Sequence, residues 1–391
     1  MRNYLLQPRK AMKHTVLTLL ISFIWPLSAQ VKVEEIASKK LNATREITIL
    51  TPPSYATDKN KKYPLLFLLD GDYLFDPFSG IVSYTEYWND LPEVIIVALT
   101  QDNAEQREFD TQTAEQNGLP FDQSEKFFEF LAYELVPSLE KNYRVAPFKI
   151  IAGHNMTANF MNYFLFKEKP VFNAFISMSP ELAVNMETQL PEQLAKLKSP
   201  VYYYLATADG DLASQQKAIK ALDANIKAVT NPNLKYFFDD FRGASHYSLV
   251  ARAIPASLYD IFSCYQPISS SEYLDKIVKL PSGYVKYLTD KYDVIEKDLG
   301  LKIPMRLNDF KAIEAAILKN GVYDELRDLS DVASKQYPKT TLSDYYSGLF
   351  YEKTGDNKKA VKAYMRSYTL EPIGEYTTEF MLEKAEKLKE R

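Results

Sequence analysis

Cysteine and histidine are both scarce in this sequence of 391 residues. The single cysteine, Cys264, excludes an internal disulfide and any zinc site built from cysteines. Only three histidines occur, His14, His154 and His246, which excludes a histidine-rich metal centre. We therefore expect no metal and no cofactor, so that any chemistry must come from ordinary side chains.

Long apolar runs are missing beyond the start of the chain. Residues 1–29 carry four basic and no acidic side chains, then the largely apolar stretch Thr15–Trp25 and small residues that end at Ala29. This pattern is typical of a secretory signal peptide cleaved after Ala29, with Met1 or Met12 as the start. No later stretch reaches about 18 uninterrupted apolar residues, so we expect no membrane span. The sequence predicts an exported protein, either periplasmic or extracellular.

An excess of basic residues is absent too. Removal of the four basic residues of the leader leaves 43 Lys and Arg against 51 Asp and Glu, a net charge near −8. Nucleic-acid binding needs a basic face, which this composition does not indicate. The content of 46% hydrophobic residues excludes a disordered chain and is sufficient for a large core.

Short apolar runs alternate with helical patterns between about residues 31 and 265. Two runs, Tyr63–Leu69 and Val94–Leu99, are apolar on both faces, as in the central strands of a parallel sheet. Ser124–Tyr143 has the apolar spacing of a helix, with Ser124 as its N-cap. Further strands are predicted within 31–53 and at 148–152, 172–178, 201–206 and 234–238, and a helix is predicted over 248–262. The pattern predicts an α/β fold with a mainly parallel central sheet flanked by helices.

The remainder of the chain, from about Pro267, is helical in pattern. A glycine and a proline, Gly321 and Pro338, are followed at equal distances along the chain by a second such pair, Gly355 and Pro372. This distance equals the length of a tetratricopeptide repeat. We predict two helix-turn-helix repeats here, with plain helical packing as the alternative. Tandem repeats of this kind usually bind protein segments.

The segment Gly153-His154-Asn155-Met156-Thr157 lies between a predicted strand and a predicted helix. A G-x-S-x-G motif in that setting is the nucleophile elbow of α/β-hydrolases, where a sharp turn lifts a serine above the sheet. A histidine oriented by a carboxylate activates that serine, and backbone N–H groups bind the oxyanion. Asn155 occupies the position of the serine.

The acid and the histidine of such a triad are both available in the expected chain order. Asp209 and Asp211 directly follow a predicted strand, where the orienting acid belongs, and we prefer Asp211 slightly. His246 follows the last predicted strand. His154, next to the nucleophile position, is expected to support the turn rather than to react.

Residues 31–265 resemble a known family, the esterases related to esterase D, enterochelin esterases and feruloyl esterases. The matching segments are Tyr63–Asp72, the helix Phe127–Tyr143, the elbow Ile151–Asn155 and the run Phe175–Pro180. The resemblance implies an α/β-hydrolase fold and an ancestral serine ester hydrolase.

The resemblance also implies an oxyanion site beside the elbow. In the family, the loop after the first central strand lies next to the pocket and contributes an N–H group. This assigns Gly71 and Asp72 to the pocket wall, with the N–H of Met156 as the other donor.

The sequence departs from the family at the elbow itself. The family pattern resembles G-H-S-x-G-G, whereas Asn155 replaces the serine and Thr157-Ala158 replace both glycines. A carboxamide nitrogen is delocalised into its carbonyl, so it is a poor nucleophile that His246 cannot activate as it would a hydroxyl. The branched side chain of Thr157 also crowds a turn that favours small residues.

Three functions stay open on the sequence alone. The first is a pseudo-esterase that uses the old pocket, the repeats, or both to bind an ester-like small molecule or a protein. The second is an active ester hydrolase in which His246 activates water or Asn155 is converted to a carboxylate. The third is an envelope scaffold that binds a protein or peptide through its repeats. The predicted division of the chain is a leader over 1–29, a hydrolase domain over 30–266, a helical linker over 267–306 and repeats over 307–391.

Overall fold

Eight strands form one sheet in the computed structural model, which describes residues 30–101 and 103–390. The signal peptide predicted over 1–29 lies outside the described residues. The strands are β1 (Gln30–Ser38), β2 (Ala43–Thr51), β3 (Tyr63–Leu68), β4 (Ile95–Leu99), β5 (Val145–His154), β6 (Ala174–Met178), β7 (Val201–Gly210) and β8 (Leu234–Ser245). Their order across the sheet is β1-β2-β4-β3-β5-β6-β7-β8.

The six strands from β3 to β8 run parallel, whereas β1 and β2 are antiparallel additions at one edge. Parallel strands end at the same edge of a sheet, so the residues after β5, β7 and β8 meet there. These residues include the elbow, Asp211 and His246, and Asp209 lies at the end of β7 itself. The predicted mainly parallel sheet is confirmed.

Helices cover both faces of this sheet, and a further run of helices follows it. The helices are α1 (Gly71–Tyr87), α2 (Ala104–Thr111), α3 (Gln123–Glu129), α4 (Val136–Asn142), α5 (Met156–Phe160), α6 (Met186–Leu194), α7 (Ala213–Lys227), α8 (Ser248–Ile261), α9 (Ser270–Asp275), α10 (Tyr284–Leu299), α11 (Leu307–Asn320), α12 (Glu325–Gln336), α13 (Thr341–Lys353), α14 (Asn357–Met365) and α15 (Thr378–Lys389). A π-helical segment, Phe130–Leu135, joins α3 to α4.

Side chains of the central strands alternate between two hydrophobic cores. In β3, Leu65 and Phe67 belong to the core beneath α3 to α7, while Leu66 and Leu68 belong to the core beneath α1 and α8. All four side chains are fully buried. A strand covered on both faces has no solvated side, which explains the continuous apolar runs in the sequence.

Two local predictions were wrong. Ser124 is not an N-cap, because α3 begins at Gln123 with Asp122 before it. The buried Ser124 hydroxyl instead donates to the carbonyl groups of Gln112 and Phe121. The last strand also runs past Phe238 to Ser245, so the predicted loop before His246 is largely strand.

The helical tail packs on the sheet-bearing part of the chain. The core beneath α1 and α8 continues without interruption through α10, α11, α12, α13 and α15. Polar contacts reinforce this packing, since the Tyr202 hydroxyl donates to Asp298 at 3.2 Å and the Arg306 guanidinium donates to the carbonyl of Tyr265 at 2.7 Å. The predicted helical character of the tail is confirmed.

Gly348 in α13 permits the close approach of α14, and its replacement by alanine should be costly. A Cβ at this position would overlap the ring of the fully buried Tyr364. Overpacking of this kind costs about 1–3 kcal/mol, which we expect as the loss in unfolding free energy on urea denaturation of Gly348→Ala.

Gly80 in α1 is the matched control, because nothing lies within 4 Å of a Cβ placed there. Gly80→Ala should leave stability unchanged or raise it by up to about 1 kcal/mol through helix propensity. Equal effects of the two substitutions would contradict the close approach of α14.

Candidate active site

The turn between β5 and α5 holds Asn155 in an unusual backbone conformation. Its backbone φ and ψ angles are 63° and −116°, a combination that residues other than glycine rarely adopt. The Asn155 N–H donates to the carbonyl of Met178 at 3.0 Å, and the Glu181 N–H donates to the carbonyl of Asn155 at 3.1 Å. This strained strand-to-helix turn has the backbone form of a nucleophile elbow.

His246 and Asp211 form a hydrogen-bonded pair, with Nδ1 2.7 Å from Oδ1. The other oxygen, Oδ2, accepts hydrogen bonds from the hydroxyls of Ser179 and Thr207, both at 2.8 Å, and from the Ala208 N–H at 2.9 Å. Burial works to raise the pKa of Asp211, but these hydrogen bonds, led by that of Ala208, hold the pKa below its ordinary value. An ionised Asp211 fixes the proton of His246 on Nδ1, which leaves Nε2 as a base.

Asp209, the alternative acid, has a different partner. Its carboxylate accepts the N–H of Gly243 at 2.8 Å, in an exposed position. Of the two candidate acids, the structure therefore places Asp211 against His246.

A cavity of about 460 Å³ opens at the elbow. Asn155 and His246 both line it, together with Glu181, Leu182, Gly210, Leu212, Ser214, Gln215, Ala218 and Tyr247. The Gln215 amide donates to the Ser179 carbonyl at 2.7 Å and lies 3.4 Å from the carboxamide oxygen of Asn155. The cavity thus combines polar side chains, among them Asn155 and His246, with the aliphatic side chains of Leu182, Leu212 and Ala218.

The predicted oxyanion residues are not among the residues that line this cavity. Gly71 is buried at the start of α1, and the carboxylate of Asp72 accepts the N–H of Gln101 at 3.1 Å. Met156 opens α5, where the N–H of a first residue has no acceptor within the helix.

A network of hydrogen bonds that the sequence did not predict supports the residues next to Asn155. We call this network the elbow clamp, and its members are Asp70, Tyr73, Arg107, His154 and Thr157. The Asp70 side chain, 1% exposed, accepts the Thr157 hydroxyl and the Nε–H of Arg107, both at 2.5 Å. Arg107 also donates to the carbonyl of His154 at 2.8 Å. The clamp ties α1 and α2 to the residues on either side of Asn155.

Little in the sequence could have revealed the elbow clamp. Arg107 lies in α2, far from the elbow along the chain, with no motif around it. Thr157 looked like a crowding replacement for glycine, yet its side chain is fully buried and accepts the N–H of His154 at 2.9 Å. The hydroxyl therefore compensates for the bulk of the branched side chain.

His154 lies behind the candidate base and supports the turn. Its Nε2–H donates to the carbonyl of His246 at 3.2 Å, and its Nδ1 lies 3.1 Å from the hydroxyl of Tyr73. The two imidazole rings are 4.5 Å apart between centroids. Burial above all, and then the charge of His246, lowers the pKa of His154 to about 4.

Acid should destabilise the protein through His154. The unfolded chain takes up a proton near pH 6.5 and the folded chain only near pH 4, so folding becomes less favourable as the pH falls through that window. We expect a loss of up to roughly 1.4 kcal/mol per pH unit. Denaturation of the wild type and of His154→Gln between these pH values measures it, and parallel slopes for the two proteins would contradict the assignment.

Two other features of the described residues bear on function. Across residues 30–101 and 103–390, no three His, Cys, Asp or Glu side chains cluster as metal ligands would. In the same part of the chain, no helix has the length and apolar character needed to cross a bilayer.

Comparison with known proteins supports the fold. Residues 38–191, which include Asn155 but end before Asp211, match the family model described as "Putative esterase". An uncharacterised protein from Capnocytophaga ochracea is 30% identical, over 93% of this chain and 100% of its own, with a TM-score of 0.83. The chain belongs to the esterase family. A sequence comparison with curated proteins finds no match.

More distant structures share the fold of this esterase-family protein. An IroE-like serine hydrolase from Shewanella oneidensis is 18% identical over 78% of this chain and 98% of its own, with a TM-score of 0.59. The BES protein from Bacillus cereus is 21% identical over 64% and 98%, with a TM-score of 0.51. The predicted α/β-hydrolase fold with a helical tail is confirmed.

Proposed function

We propose that this protein is a pseudo-esterase that binds an ester-like small molecule in the cavity at Asn155 without forming an acyl-enzyme. The observation that carries the proposal is a carboxamide at the tip of a turn that keeps the backbone form of a nucleophile elbow. A carboxamide cannot be deprotonated by an imidazole at neutral pH, so the nucleophilic step of serine esterases has no group to perform it.

The retained histidine and acid do not require a retained reaction. Asp211 joins the ends of β6 and β7 through Ser179, Thr207 and Ala208. These contacts give Asp211 a structural role, and the His246 imidazole is a further hydrogen-bond partner of its carboxylate. A partly apolar cavity with a few directed polar groups also suits the binding of a small molecule.

A slow hydrolase is the second candidate, and one observation favours it. With Nδ1 bonded to Asp211, the Nε2 of His246 is the ring nitrogen available to deprotonate a water molecule in the cavity. The N–H of Met156 would stabilise the developing charge. Conversion of Asn155 to a carboxylate is a separate route, which the mass of a peptide spanning 154–160 would reveal.

The two candidates differ in one measurement. We expect residues 30–391 of the wild type to hydrolyse short aryl esters no faster than the His246→Ala variant, and to resist labelling by a fluorophosphonate. A His246-dependent rate would establish the hydrolase and end the pseudo-esterase proposal.

We also propose export, and tetratricopeptide-like repeats over residues 307–391. In support of the repeats, α11 and α13 begin one repeat length apart, at Leu307 and Thr341, and Gly321 and Gly355 both have positive φ after a helix. The tail shares a core with the hydrolase unit, which favours a role as a cap over the predicted partner-binding scaffold. The boundaries at 266 and 306 stay part of this proposal.

A further inference from the structure

A second group of cavities lies far from Asn155, where the helical tail meets the hydrolase unit. Three cavities of about 500, 440 and 540 Å³ are each lined by both Lys61 and Tyr265, so they form one depression, which we call the junction groove. Lys61 precedes β3, at the amino end of the parallel strands, whereas Asn155 and His246 follow the carboxyl ends. The 17 residues of α1 run from the elbow clamp to the groove, a length of about 25 Å.

Exposed aromatic rings stand at the edge of this groove. Tyr87 and Trp88 line it, and Tyr84, which lines none of the three cavities, precedes them at helical i, i+3 and i+4 spacing on a solvent-exposed face at the end of α1. Tyr87 is 77% and Trp88 59% exposed, and their rings meet edge to face, with centroids 5.0 Å apart and an angle of 84° between the ring planes. Large aromatic side chains that are exposed next to each other often mark a surface that binds a ligand or a partner.

The position of Tyr265 at the centre of the groove is fixed. The guanidinium of Arg306 lies 4.5 Å from the centre of its ring and donates to its carbonyl oxygen at 2.7 Å. The ring is therefore held in place by the tail, while the other aromatic rings come from α1. The groove exists only where both parts of the chain meet.

Hydrogen-bonding groups without protein partners line the same walls. The side-chain amides of Asn60, Asn89 and Asn308 are exposed, and none bonds to another group among the described residues. An amide both donates and accepts, as a sugar hydroxyl does. Glu86, which already accepts the N–H of Val94 at 3.4 Å, adds a carboxyl group whose pKa is raised to about 7, by burial first and by Glu93 second, so that it too both donates and accepts near neutral pH.

The groove carries only a small net charge. Four basic and three acidic side chains line it, and Lys61 is paired with Glu93. Because Glu86 is only partly ionised near neutral pH, the groove is mildly positive, and a strongly cationic ligand would find no complementary surface. Flat aromatic faces beside neutral amides suit a ligand with apolar C–H faces and many hydroxyl groups.

We propose that the junction groove binds a neutral oligosaccharide, in which one sugar ring stacks on the exposed face of Trp88 or Tyr87 while the hydroxyls bond to Asn89 and its neighbours. This site is independent of the proposed function of the cavity at Asn155. It would hold a glycan on the face of the protein opposite the elbow.

The experiment uses Trp88 as its own reporter. Of the two tryptophans in the sequence, Trp25 lies in the leader, so Trp88 is the sole fluorophore of its kind in residues 30–391. We would titrate this protein with cellohexaose, xylohexaose and N-acetylchitohexaose, and measure the same binding by calorimetry. We expect saturable binding of at least one hexasaccharide with a change in tryptophan emission.

Variants decide where the sugar binds. Trp88→Ala and Asn89→Ala should each weaken binding by about tenfold or more in calorimetry. Tyr133→Ala is the matched control, since this tyrosine is 58% exposed outside the groove, and its affinity should equal that of the wild type.

Three results would overturn the proposal. The first is no saturable binding of any hexasaccharide at millimolar concentration, and the second is binding that Trp88→Ala and Tyr87→Ala leave unchanged. The third is Trp88-dependent binding of a proline-rich decapeptide in place of the sugars, because aromatic grooves also hold polyproline helices. Ester assays on the same variants keep this outcome separate from the cavity at Asn155.

Discussion

Asn155→Ser is expected to turn the protein into a fluorophosphonate-reactive esterase. The substitution places a hydroxyl at the tip of an elbow whose backbone angles are already set, in the cavity that His246 lines. A general base next to a positioned nucleophile contributes about 10²–10⁴-fold, so hydrolysis of short aryl esters should rise at least about a hundredfold above the wild type. The measurements are initial rates and the mass of the covalent adduct.

The control is the double variant Asn155→Ser/His246→Ala, which should lose both the labelling and the gained rate. Asn155→Ala, which removes the carboxamide without supplying a hydroxyl, should stay inactive. If Asn155→Ser folds but neither reacts nor turns over, the cavity has lost more than its nucleophile. Retained function would then have to be sought elsewhere on the molecule.

Asp70→Ala should be among the most destabilising single substitutions in the hydrolase unit. Asp70 is 1% exposed and pairs with Arg107, itself only 22% exposed, and its removal leaves the guanidinium without a counter-ion, with the carbonyl of His154 as its remaining oxygen acceptor. Breaking one side of a buried ion pair costs about 3–5 kcal/mol. Urea denaturation, with the slope checked for a two-state transition, gives the loss in unfolding free energy.

An exposed ion pair provides the comparison. Lys198 and Glu168 lie 2.7 Å apart, but both side chains are about three-quarters exposed, so Glu168→Ala should cost no more than about 1 kcal/mol. The double variant Asp70→Ala/Arg107→Ala should lose less than the two single variants together, because the charges depend on each other. Additive losses would contradict the clamp as a coupled unit.

The fold was largely predictable because its signals are local. The runs around Leu66 and Ile96 are apolar on both faces, and only a strand buried on both sides requires that. The wrong N-cap at Ser124 has a physical reason as well: a serine hydroxyl satisfies any nearby carbonyl, and in this fold two carbonyls outside the helix are close enough. Pattern alone cannot tell these two uses of a serine apart.

Only those residues of the candidate site that lie at the ends of strands could be placed from the sequence. Asn155 and His246 each directly follow a strand, and Asp211 lies just beyond the end of another, so their place at one sheet edge could be expected. The elbow clamp could not, because Arg107 reaches the elbow through tertiary packing. The sequence also contains no signal for the junction groove, because the groove forms between segments that are distant along the chain, at Lys61 and Tyr265.

The uninterrupted core beneath α1 and α8 has a consequence for how the chain can be divided. Tyr284 and Leu288 of the tail lie in the same cluster as Leu66 and Ile254 of the hydrolase unit. On this side of the sheet, neither part has a hydrophobic core that is separate from that of the other part. We therefore expect the two parts to unfold in one cooperative transition. In evolution, too, a different helical domain could not simply replace the tail, because the replacement would have to supply matching side chains for the hydrophobic core that both parts share.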